Sequence, residues 1–154
     1  MKNILKYPAT NAICISLFTA FYGLIFIVTS GHAEFEELLY YTRSTITHTF
    51  WSRWSSFLAS GHHSYIAFIL IALTALVVLM LLFRQKPYDE YHVYSLVQCL
   101  VAATVLTMIA IAGFYLIILS DSNGIVEKFT FFIVIHWTTV VLADIVFVFA
   151  CRWR

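Results

Sequence analysis

The chain has 154 residues, of which 62% are hydrophobic, 18% aromatic and 11% charged, with a formal net charge of +1. Soluble domains carry roughly 25% charged residues, so this composition is that of a membrane protein. The near-neutral balance, with no basic cluster interleaved with aromatics, excludes a nucleic-acid surface.

Four apolar stretches reach spanning length: residues 11–30, 64–83, 94–119 and 129–150. About 20 apolar residues, at ~1.5 Å each, cross the ~30 Å hydrocarbon core. The expected fold is therefore all-α, a single four-helix transmembrane domain over residues 1–154. The largest piece outside the spans is residues 31–63, too short to build a soluble core of its own. Any act in water is expected to need another chain.

Lys2 and Lys6 precede the first span, and Pro8 suits a helix start. The apolar run exceeds the ~7–15 residues of a signal-peptide core, so it reads as a retained helix. The segment 31–63 places Phe35, Leu38, Leu39, Ile46, Phe50, Trp54 and Leu58 on one broad helical face. With Tyr40, Tyr41, Trp51 and Trp54 it reads as an amphipathic helix in the outer interface, or as a lid over the bundle's outer mouth. Ser60-Gly61 ends it. Four histidines, His32, His48, His62 and His63, fall in or beside this segment without any metal-ligand spacing, and no metal or cofactor is expected.

The second span is almost purely aliphatic and suits lipid contact; Arg84, Lys86 and Pro87 stop it. In the Tyr88–His92 run that follows, Asp89 is expected to cap the third helix and Glu90 to favour its positive end. The third span carries Gln98, Cys99, Thr104 and Thr107 among Ala102, Ala103, Ala110, Ala112 and Gly113, which marks it as an interior or interface helix. Asn123-Gly124 suits a turn with positive φ, making the third and fourth helices antiparallel neighbours. Cys14, Cys99 and Cys151 show no disulfide or zinc spacing and read as apolar fillers.

Orientation follows from Lys and Arg. Six of them (Lys2, Lys6, Arg84, Lys86, Arg152 and Arg154) lie on one side and three (Arg43, Arg53 and Lys128) on the other. The positive-inside rule then puts both termini and the Arg84–Val93 loop in the cytoplasm of a multi-pass cell-membrane protein. Arg84, Lys86, Asp89, Glu90, Arg152 and Arg154 make up the face a cytoplasmic partner would touch.

His136 and Asp144 are the two ionisable side chains deep inside a span. A charge at that depth costs at least ~2.5 kcal/mol, so each calls for an inward face, a partner or a neutral form. Asp144 lies about 10 Å from the inner surface, level with Gln98 and Cys99, so a Gln98–Asp144 hydrogen bond is the simplest arrangement. Eight residues separate His136 from Asp144, an offset of ~80°, and Thr139 lies between them. The three form either a polar path or structural glue. His136 and Trp137 are adjacent, not one turn apart as a His–Trp gate requires.

No GxSxG, HExxH, P-loop or dinucleotide fingerprint occurs. In topology alone the chain is similar to small four-helix membrane subunits that pair with a soluble effector, such as the membrane component of the Kiwa anti-phage system. That likeness implies a membrane sensor of a bacterial two-protein system. The leading expectation is a non-enzymatic subunit that self-associates through its third and fourth spans, contacts membrane lipids and anchors or signals to a cytoplasmic protein. The alternatives are a homo-oligomeric ion or proton pore lined by the fourth span, and a small membrane enzyme or lipid-binding protein.

Overall fold

Pro8 fixes the φ of a first helical turn, and Thr10 N closes it by donating to Tyr7 O at 3.0 Å. From there a computed structural model describes residues 6–30, 49–84, 86–121 and 123–152. Among these residues the structure is helical throughout: α1 (Pro8–Ser30), α2 (Thr49–Ala59), α3 (His63–Leu82), α4 (Glu90–Ser120) and α5 (Ile125–Arg152). α1, α3, α4 and α5 are each long and apolar enough to cross a membrane. Tyr40 and Tyr41, with the rest of residues 31–48, lie outside the described residues, as does Arg154.

The connections are made by the residues that turn chemistry demands. Gly61 and Gly124 adopt φ of +75° and +69°, the left-handed region where a Cβ is disfavoured, at the two tight turns before α3 and α5. Asp89 is the N-cap of α4, its carboxylate accepting from His92 N at 2.8 Å. Tyr88 N donates to Lys6 O at 2.7 Å, tying the α3–α4 connection to the start of α1. One end of the bundle thus gathers Lys6, Arg84 and Lys86; the other carries Trp51 and Trp54.

α5 is the centre of the bundle and packs against α1, α2, α3 and α4, while α1 pairs closely with α3. At the tryptophan-bearing end, Leu58 of α2 is buried against Trp54 and Val126. In the middle, Trp137 and Val141 sit with Ile15, Phe26, Ala67 and Leu70. At the basic end, Phe147 and Val148 join Ala12, Val77, Leu81, Tyr88 and Leu96.

Of the interior and interface roles its small residues suggested for the third span, the interior one does not hold. α4 packs chiefly along α5 through a stripe of His92, Leu96, Ala103 and Thr107. Most of its other side chains face outward, Gln98, Ala102 and Ala112 among them. Small residues permit close approach, but inside a lipid solvent they do not by themselves draw a helix inward.

Candidate functional site: a polar seam along the central helix

Asp144 is 3% exposed on α5, and its partner is Asn11 of α1, whose Nδ2 donates to Asp144 Oδ1 at 3.3 Å. The expected Gln98–Asp144 bond is absent. Gln98 is exposed, and its Nε2 donates to Tyr94 OH at 2.9 Å on its own helix. The depth estimate was sound, since Leu96 and Leu100 flank Asp144, but Gln98 lies about 200° around α4 from buried Leu96. The same depth argument applied to the first span would have found Asn11, which enters the membrane at the level of Asp144.

Two turns along, His136 Nδ1 is hydrogen-bonded to Tyr22 OH of α1. Phe18 meets the imidazole edge-on at 5.6 Å between centroids, and Phe132 lies 6.3 Å away. Thr139 does not join a path between the two ionisable residues: its hydroxyl donates to Ile135 O at 2.8 Å, within its own helix. Trp137, fully buried, instead donates Nε1–H to Thr19 Oγ1 at 3.4 Å. Thr74 donates to Leu70 O at 2.9 Å, so the 3.0 Å contact between Thr19 and Thr74 is a bond donated by Thr19. This short relay links α5, α1 and α3 and gives each of its hydroxyls an acceptor.

Because α1 and α4 both lean on α5, a crevice remains between them. Its part toward the basic end has a volume of about 230 Å³ and is lined by Asn11, Cys14, Phe18, Leu96, Leu100 and Asp144, among others. The adjoining part, about 250 Å³, is lined by Ala103, Thr104, Thr107 and His136. Leu100 and Val140 line both. The Thr107 hydroxyl is buried there without a hydrogen-bond partner.

Of two further clusters, the first went unread in the sequence, and the second contains the expected cap at Asp89. Lys128 was counted as a charge outside the spans, yet it and Glu127 both lie at the start of α5 and are buried, Glu127 completely. Trp54 Nε1 donates to Glu127 O at 3.0 Å, and Lys128 Nζ lies 3.3 Å from Asp121 Oδ2 and 5.9 Å from the Trp51 ring centre. The groups that face the Glu127 carboxyl are the Ser55 hydroxyl of α2 and the neighbouring Lys128 ammonium. The covering helix α2 turns Trp51, Trp54, Ser55 and Leu58 toward the bundle, whereas Phe50, expected on that face, is about half exposed (54%).

At the basic end, His92 is gripped from both sides. Its Nε2 accepts from Arg84 Nη2 at 2.7 Å and its Nδ1–H donates to Asp89 Oδ1. With both ring nitrogens engaged, the Tyr88–His92 run serves as a capping clasp. Lys86 and Glu90 are exposed at this end, and Arg152 lies in the last turn of α5. The Asp89 carboxyl is held below the ordinary carboxylate range, first by the His92 backbone N–H and then by its ring. A depressed folded value means that the cap contributes fully above the unfolded value of 3.8 and is lost as pH falls through the lower folded one. The stability gap between the parent and Asp89→Ala is therefore expected to be constant from about pH 7 to pH 5 and to narrow near pH 3. Thermal unfolding at those values checks this, and a gap that stays constant to pH 3 rules it out.

Comparison with family models, with curated proteins and with solved structures found no match for the chain.

Proposed function

We propose that this chain is a non-enzymatic membrane subunit that self-associates across the outward face of α4 and anchors or signals to a cytoplasmic protein at its basic end. The observation that carries the reading is the exposed carboxamide of Gln98. An amide facing lipid is unfavourable alone, yet it is self-complementary, because each copy offers both a donor and an acceptor. Its bond to Tyr94 OH leaves the carboxamide oxygen available to a second copy. Ala102, Val105, Ile109, Ala112 and Leu116 follow Gln98 at alternating intervals of four and three, and all are exposed. That is a heptad seam with one polar position, the pattern that sets register between paired helices.

The last helix has no comparable face. Its outward residues Ile125, Phe129, Ile135, Leu142, Val146 and Phe149 are all apolar. Of its polar groups, His136, Trp137 and Asp144 bond to α1, which favours a packing role for them over a pore lined by this helix. The basic end supports the partner half of the proposal: Lys86 is exposed there, beside a cleft of about 430 Å³ lined by Phe83, Arg84, Tyr88, Phe147 and others.

Sedimentation equilibrium in mild detergent tests the self-association. The parent is expected to form dimers or higher species. Gln98→Leu is expected to weaken the association about 3- to 18-fold, the equivalent of the ~0.6–1.7 kcal/mol measured for interhelical hydrogen bonds in membranes. A parent that stays monomeric, or a Gln98→Leu variant that associates as well as the parent, removes the seam from the proposal. Mild-detergent purification from the native membrane tests the second half, and recovery without any companion protein counts against it.

A further inference from the structure

The carboxyl of Asp144 opens a different question, because it stands in a membrane-spanning helix with a single neutral donor on it. Among the described residues Asn11 is the one hydrogen-bond partner, and it occupies only Oδ1. No Lys, Arg or His among the described residues is paired with this carboxyl. The group lines a crevice of about 230 Å³ rather than a sealed core. A buried anion without a counter-ion is strongly disfavoured in lipid, and an incoming cation relieves that cost.

The remaining walls decide which cation. Hard inorganic ions take six or more oxygen ligands, whereas the crevice offers Asp144, Asn11 and Thr10 and is otherwise mostly Ile15, Phe18, Leu96, Leu100 and Val140. Such walls match an organic cation with an apolar body, and Phe18, stacked on Tyr22, supplies an aromatic ring among them. The volume falls below the ~300–1,000 Å³ of sites for drug-sized molecules, which limits the body to roughly one ring or a short branched chain. The crevice lies between two membrane helices, so a ligand dissolved in the bilayer reaches it without crossing water.

We propose that the crevice between α1 and α4 is a binding site for a small lipophilic ammonium compound. Its positive charge rests against Asp144, and its apolar part lies along Phe18, Leu96, Leu100 and Val140. A lipid acyl chain would fill the same walls without needing the carboxyl, so the charge dependence separates the two occupants.

Radiolabelled benzyltrimethylammonium is the probe, measured on the detergent-purified full chain against protein-free micelles. Saturable binding is expected. Asp144→Asn, which keeps the shape and the contact with Asn11, is expected to weaken it at least about tenfold, as loss of one close charge partner does. Leu100→Trp, which fills the crevice and leaves the carboxyl in place, is expected to weaken it similarly. Unlabelled tetramethylammonium, with the charge but no apolar body, is expected to compete at least about tenfold less well than unlabelled probe. The proposal is overturned by absence of saturable binding up to millimolar probe, by undiminished binding in either folded variant, or by equal competition from tetramethylammonium. Should Asp144→Asn not fold, Leu100→Trp and the competition decide alone. None of these results depends on how the copies associate.

Discussion

Trp137→Ala is expected to destabilise the bundle by roughly 3 kcal/mol. Large-to-small changes of an aromatic in water-soluble cores cost ~3–5 kcal/mol, combining transfer out of water with the cavity left behind. Here the transfer part largely drops out, since lipid is about as apolar as the protein interior, and the cavity part remains. The cavity would be central. Trp137 is fully buried, meets Phe26 edge-on at 6.4 Å, and lies against α1 where a Cβ on Gly23 would come within 3.5 Å of its ring. Alanine also removes the Nε1–H that donates to Thr19. Unfolding in mixed micelles of detergent and SDS measures the loss. Phe68→Ala, 65% exposed on α3, is the control and should cost little, because a truncated lipid-facing side chain is replaced by lipid. Equal losses at the two sites would show that Trp137 is not the packing centre. Trp137→Phe should fall between, retaining most of the ring and losing the hydrogen bond, worth about 1 kcal/mol.

The spans were legible because hydropathy is a one-dimensional property, and four stretches carried it without ambiguity. Their ends were less so. The third and fourth spans were read from residues 94 and 129, while the helices begin at Glu90 and Ile125. Counting apolar residues stops at the first charge, whereas the backbone continues to its cap at Asp89 or its turn at Gly124. Within the site, His136 and Asp144 stood out as ionisable residues at depth, but their partners did not. Depth comes from counting residues, while rotation about the helix axis is set by the face that packs, and for α4 that face is Leu96, Ala103 and Thr107. Gln98 was therefore placed at the right level on the wrong side, and Asn11, at the same level, was passed over. Glu127 and Lys128 show the converse case. Both are charged and near a span's end, which reads as solvated, and only the covering helix α2 makes them buried.

Asn11→Leu is expected to cost about 1–3 kcal/mol, more than a lost hydrogen bond between neutral groups, because it leaves the Asp144 carboxyl buried without its donor. Asp144→Leu should behave in the opposite way. It removes a group whose insertion costs ~2.5 kcal/mol or more, and it leaves behind only the neutral, half-buried amide of Asn11. Asp144→Leu alone is thus expected to be neutral or stabilising. The double variant should match it to within about 0.5 kcal/mol, although the two single effects differ by several times that. This non-additivity follows from what each change leaves behind: one orphans a carboxyl, the other a neutral amide, which costs less to leave unpaired. The four proteins form a cycle that mixed-micelle unfolding can close. If Asn11→Leu costs as much in the Asp144→Leu background as it does in the parent, the amide acts through packing and the 3.3 Å contact contributes nothing. If its cost disappears in that background, the contact is what holds the carboxyl in the membrane.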